Sequence, residues 1–470
     1  MIAQKMQKLR IPVVLLISLL PFVINVVSGY RGFGNPESCC FLMHYNSGAS
    51  LLSLIFDPAR TDWDLYQARE LSYLLDAFDA KFIAWCIDMK AAHFFSLTTV
   101  LFFILTIFTQ QYFTAKLFPE LKWFIALLPS LVFSFSYTWG DFVFFRSSKP
   151  AVTFLLTLLC FTVIDLLKNQ EQRNIFSKIC IVSSLVMMPF FDRQGFFFAG
   201  VFTVGSLFLW LAACYRKTAV WMWGSEKTVD LLRYFSFCGV VSLFVSTLWN
   251  IFIAPEIIMA LNGYYPSFEY QQLPSGAYFN FAGGIEFFFK NIFFLFFPLG
   301  YKWSIFAGVA LIFLFAANVF MIKTVLHKRI FFAILFVLMI IIWIILSNIM
   351  TARHEAILME SVVYGIYFLP FLAILTVFFI LLLANTSGYS HYLLVGLTVI
   401  SILGNIALKC SIIEAPGKDG DLMFFYKMVA PAVIRNLNEP ERVKKMPLPF
   451  TNSILIDFFR KKNPPSLSEK

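Results

Sequence analysis

The sequence predicts an all-α protein, a polytopic membrane helical bundle of about eleven spans with a long first outer loop that contains amphipathic surface helices. Three observations predict it. Of 470 residues, 59% are hydrophobic and 14% charged, with 59 Phe and a mean hydropathy of +0.77, whereas soluble domains carry about 25% charged residues. The apolar residues gather into runs close to the length that crosses a hydrocarbon core, about 20 residues. The Lys and Arg residues collect in alternate connections between those runs.

The first element opens the chain. "MIAQKMQKLR" sets Lys5, Lys8 and Arg10 ahead of the apolar "IPVVLLISLLPFVINVV". No clear small-residue cleavage site follows, so 11–28 reads as an uncleaved span rather than a signal peptide. Further spans are expected at 94–109, 123–138, 150–167, 176–190, 196–213, 234–254, 303–322, 330–350, 361–384 and 392–410. "NIFFLFFPLGYKW" also suits an earlier, re-entrant start to the span at 303. Helices are the default because lipid offers backbone amides no partner.

Sidedness follows from the basic residues. With the N-terminus inside, the inner segments hold Lys5, Lys8, Arg10, Lys116, Lys122, Lys168, Arg173, Lys178, Arg216, Lys217, Lys227, Arg233, Lys323, Lys328 and Arg329. The short outer connections hold Arg146, Lys149, Arg193, Lys290 and Arg353. Fifteen against five supports this orientation, since short cytoplasmic loops are enriched in Lys and Arg. Residues 1–410 then form the bundle, with 29–93 as the first outer loop, and the tail 411–470 lies on the non-cytoplasmic side.

Composition and motifs narrow the function classes. The net charge is +10, but the bases stand mostly between apolar runs, which suits topology and anionic membrane lipid and implies no nucleic acid. There is no P-loop, no GxGxxG after a strand, no HExxH and no CxxC pair, which argues against ATP-driven transport and zinc proteolysis. Cys160, Cys180 and Cys238 lie inside apolar runs and read as small core residues. Cys39 or Cys40 is a weakly signalled partner for Cys86.

Charge is concentrated in one window. "FDPARTDWDLYQARELSYLLDAFDAK", residues 56–81, holds six carboxylates, two arginines and a lysine. From Leu65 the window has helical periodicity: Leu71, Leu74, Leu75, Phe78, Phe82 and Trp85 share one face, and Arg69, Ser72, Asp76 and Asp79 the other. That pattern predicts a helix on the membrane surface, with Asp76 and Asp79 solvated. Asp57 before Pro58 suits a turn, and Asp64 with Gln67 resembles a capping box. Asp62, beside Trp63 and close to Arg60, has the weakest structural explanation.

Other charges are expected at the same face. "YTWGDFVFFRSSKP" places Asp141, Arg146 and Lys149 at outer ends of spans, "FFDRQGFFF" inserts Asp192 and Arg193 between two apolar runs, and "TARHEAILME" adds Arg353, His354 and Glu355. Charges this close to hydrocarbon face a bundle interior or pair with one another.

The order of span 11–28, acidic "ARTDWD", a surface helix from Leu65 and span 94–109 resembles the GT-C superfamily of integral-membrane glycosyltransferases. "RSSKP" opening a later span resembles the basic, proline-bearing start of a span in some members. The resemblance covers the architecture of roughly residues 1–200. It lacks a WWDYG-type signature, and a spaced "DWD" stands where an adjacent acidic pair is the pattern. The resemblance implies a polyprenyl-phosphate-linked sugar donor, a glycan or lipid-linked acceptor, and a site on the non-cytoplasmic side of an inner or plasma membrane. Inverting transfer needs one base to take the acceptor proton, which a carboxylate can do. Asp62 is the candidate, with Asp64 or Asp57 in its place. The leaving lipid phosphate needs cations. Arg193, Arg353, Arg146 and Lys149 are candidate contacts, and Arg60, Arg69, Asp192 and His354 complete the candidate substrate-binding set. The sequence requires no cofactor and leaves room for a divalent metal. A lipid-linked-glycan flippase, or a glycan polymerase or ligase, is the competing expectation. A flippase would usually show internal repeats and interrupted helices.

Overall fold

A computed structural model describes residues 12–13, 15–20, 44–46, 48–57, 65–66, 69–88, 96–136, 148–169, 175–215, 226–268, 281–298, 302–310 and 368–414. The expected span at 330–350 and nearly all of the tail lie outside these residues, and the spans at 11–28, 303–322 and 361–384 are described in part.

The described residues are overwhelmingly helical. Helix α1 (Leu51–Ile55) and α2 (Glu70–Asp88) belong to the first outer loop. Then come α3 (Leu97–Leu117), α4 (Trp123–Phe135), α5 (Ser148–Asn169), α6 (Ile175–Phe191), α7 (Arg193–Tyr215) and α8 (Glu226–Leu248). A π-helical turn, Trp249–Ile253, joins α8 to α9 (Ala254–Asn262). Helices α10 (Phe281–Phe296), α11 (Leu369–Asn385) and α12 (Gly388–Glu414) follow. The strands are a two-residue parallel pair, β1 (Leu65–Tyr66) with β2 (Ser267–Phe268).

Five helical stretches among the described residues are long and apolar enough to cross a membrane: Leu97–Leu117, Ser148–Lys168, Arg193–Tyr215, Lys227–Asn262 and Gly388–Ala407. Their limits fall close to the expected spans, except that the span expected at 234–254 is part of one helical run of 36 residues. Helix α11 is buried along almost its whole length, as a helix apolar on every side must be. It packs on α4 and α5, and α5 packs in turn on α3 and α6. On the rim, Phe208, Phe237 and Phe244 are each more than 60% exposed. An apolar rim around an apolar core fits a membrane protein, because water would penalise that surface.

Several hydroxyl groups inside the bundle are satisfied within their own helix. Thr153, Thr157, Thr203 and Ser206 each donate to the carbonyl four residues earlier. Pro189 has no N–H for the Leu185 carbonyl, and Ser242 of α8 donates to that carbonyl at 2.5 Å. Gly239 lies so close to Thr203 that a Cβ there would meet the hydroxyl at 2.1 Å, so α7 and α8 pack tightly because the residue is glycine.

Two expectations about the first outer loop are corrected. The helix begins at Glu70 rather than at Leu65, and Leu65–Tyr66 is a strand. The helix is also turned over: Ser72, Asp76 and Asp79 are buried, and Leu74, Phe78 and Trp85 are exposed by 43%, 56% and 58%. The buried face also carries Tyr73, Ala77, Ala80 and Ala84, which pack it against the bundle. Asp79 caps the start of α3, accepting from Ser96 Oγ at 2.5 Å, Thr98 Oγ1 at 2.5 Å and Thr98 N at 3.2 Å. Asp76 accepts from Ser72 Oγ at 3.3 Å.

Candidate functional site

The first outer loop and the segment after α9 are clasped together at one end of the bundle. Helix α9 stops at Gly263, whose φ of 78° is a left-handed C-cap that glycine adopts without Cβ strain. The chain then turns back over α1. Asn262 Nδ2 donates to the Phe56 carbonyl at 2.7 Å and the Ser53 carbonyl at 3.3 Å, and its Oδ1 accepts from Ser53 Oγ at 2.6 Å. Tyr264 donates its hydroxyl to Asp57 Oδ1 at 2.8 Å. The pairing of β1 with β2 closes the clasp. Asp57, a half-buried carboxylate, is thus oriented by a tyrosine 207 positions away in sequence.

Beside the clasp lies a buried ion cluster. Asp192 stands between α6 and α7, Lys149 is the second residue of α5, and Arg69 directly precedes α2. Asp192 Oδ1 pairs with Lys149 Nζ, and its Oδ2 lies 3.8 Å from Arg69 Nη1. All three are at least nine-tenths buried. Asp192 also caps α7, accepting from Gln194 N at 2.9 Å. The turn behind it is tight: a Cβ on Gly195 would stand 2.0 Å from the Met188 carbonyl oxygen. Burial alone would raise the pKa of Asp192. The charges of Lys149 and then Arg69, with the hydrogen bonds from Lys149 and Gln194 N, more than offset it and bring it down to about 2. Arg69 and Lys149 thus bring two buried cations to the Asp192 carboxylate, at the N-termini of α5 and α7 where helix dipoles also favour an anion.

Aromatic rings connect the clasp to the ion cluster. Trp249, at the start of the π-helical turn, lies 6.4 Å from the Phe56 ring and 5.8 Å from the Phe190 ring, centroid to centroid. Phe56 precedes Asp57, and Phe190 stands two residues before Asp192.

Of the predicted site residues, the structure brings Arg69, Lys149 and Asp192 into one cluster and sets Asp57 in the neighbouring clasp. The partners of Asp192 are Lys149 and Arg69, and Arg193 begins α7. Arg60, Asp62, Asp64, Arg146, Arg353 and His354 lie outside the described residues, as does the proposed pairing of Cys39 or Cys40. Cys160, Cys180 and Cys238 are buried free thiols, as expected. Tyr264, Asn262 and Trp249 escaped sequence reasoning. The glycine in "NGYY" is a helix-stop signal that marks the turn but not its target, and nothing in sequence marks Trp249.

Among the described residues no group of three or more His, Cys, Asp or Glu is arranged to hold a metal ion. No known protein family, curated protein or solved structure matches this chain.

Proposed function

We propose that the protein is a multi-pass membrane glycosyltransferase of about eleven spans, working on the non-cytoplasmic face with a polyprenyl-phosphate-linked sugar as donor. The observation that carries this reading is the buried cluster of Arg69 and Lys149 around Asp192, at the end of the bundle that also holds the Asp57 clasp. Two buried cations at helix N-termini suit a lipid phosphate better than a neutral ligand. In the reaction, the acceptor hydroxyl oxygen attacks the anomeric carbon, and a first-loop carboxylate takes its proton. The bond from that carbon to the phosphate oxygen breaks, and polyprenyl phosphate leaves with the bonding pair. Arg69 and Lys149 offset the charge that develops on it. Asp192 holds the two cations in place. Asp57, Asp62 and Asp64 remain the alternatives for the base.

The test is binding and transfer with purified protein in lipid nanodiscs. Undecaprenyl phosphate should bind the wild type. Lys149→Met and Arg69→Ala should weaken that binding by about tenfold or more, the scale of a lost charge-assisted contact. Arg69→Lys should also bind more weakly, because it keeps the charge and loses the planar fork. No affinity in the wild type, or unchanged affinity in all three variants, would sink the reading.

A further inference from the structure

The π-helical turn interrupts a helical run of 36 residues at the edge of the candidate site. A wide turn of this kind is rare and is frequently found at functional sites. Here it carries two unexplained polar atoms. Trp249 Nε1, a donor, and Asn250 Oδ1, an acceptor, are both shielded from water and have no hydrogen-bond partner. Buried polar groups are nearly always paired, so two orphans on consecutive residues of one irregular turn need a reason. Apolar packing does not supply it: phenylalanine and leucine would fill the same space without an unmet donor or acceptor.

The place of the turn supplies a reason. The Trp249 ring bridges Phe56, next to Asp57, and Phe190, near Asp192. We infer that Trp249 Nε1 and Asn250 Oδ1 form a recognition element for a hydroxyl-bearing group, the sugar of the donor. This rests on the glycosyltransferase reading. A hydroxyl group is donor and acceptor at once, so its oxygen meets the Trp249 N–H and a hydroxyl hydrogen meets the Asn250 oxygen. A phosphate offers only acceptors and satisfies one of the two.

The experiment compares two ligands on the same protein in nanodiscs: undecaprenyl phosphate alone, and the same lipid carrying glucose, mannose, galactose or arabinose. Trp249→Phe keeps a ring and removes the N–H. It should weaken the preferred sugar-bearing lipid by about tenfold, the scale of one hydrogen bond, and leave the bare lipid phosphate unchanged. Asn250→Ala should do the same, and decides the matter if Trp249→Phe does not fold. Equal losses for both lipids, or no loss for the sugar-bearing one, would overturn the inference and leave the glycosyltransferase reading standing. A wild type that binds neither lipid would overturn both.

Discussion

Asp79 and Asp192 are both buried carboxylates, and their surroundings drive them in opposite directions. Burial pushes Asp79 above the ordinary value of 3.8, against the pull of the hydrogen bonds from Ser96 and Thr98, and no cation is among the causes. Its neutral form therefore favours the fold. That contribution is complete below pH 3.8 and is lost as pH rises through the folded value. Asp79→Asn keeps the shape without the charge, so its melting temperature should gain on the wild type as pH rises above 3.8. A constant difference in a pH series of thermal unfolding in detergent would show that burial of the charge is not the cause. Asp192 is the reverse case, with its pKa brought down to about 2. Its contribution is complete above 3.8 and is lost as pH falls toward 2. Asp192→Asn strands Lys149 and Arg69 in a buried site, which should cost about 3–5 kcal/mol at neutral pH. The same unfolding series should show the gap to the wild type closing below pH 3.8, and a gap that widened there would contradict the pairing.

Helix α2 shows what sequence periodicity conveys and what it omits. The pattern separates Leu74, Phe78 and Trp85 from Ser72, Asp76 and Asp79, while Leu71 and Leu75 of the same stripe pack on the core. It does not say which face meets the protein. In water the apolar face would turn inward. Beside a membrane-spanning bundle the solvent would be hydrocarbon, and the acids find hydroxyls on Ser72, Ser96 and Thr98 instead. The outward stripe should therefore sit among lipid chains and head groups. In vesicles of brominated lipid, a variant with Trp85 as its only tryptophan should be strongly quenched. Quenching by aqueous iodide instead would put that face in water.

At the scale of the whole molecule, the helical runs were legible because hydrophobic length is a local property of sequence. Helices α3 to α7 lie close to the limits their apolar runs suggest. The site was legible only as a set of charged loops. Lys149 and Asp192 could be named, but Arg69 was one of two arginines in an acidic loop, and Tyr264 reaches Asp57 across 207 positions that no local pattern spans. The clasp and the Asp192 cluster share one end. At the opposite end Lys116 pairs with Asp165 at 2.7 Å, Lys168 donates to the Leu117 carbonyl, and Lys178 lies 5.4 Å from the Tyr234 ring centroid. That end should face the cytoplasm. Cys214, an exposed thiol one residue before the end of α7, supplies a native reporter for it. A membrane-impermeant maleimide added to intact cells should leave Cys214 unlabelled and should reach a cysteine placed at Asp57. Inverted vesicles should give the opposite pattern. Labelling of Asp57→Cys from the cytoplasmic side alone would reverse the orientation and put the candidate site on the wrong face for a donor presented outside.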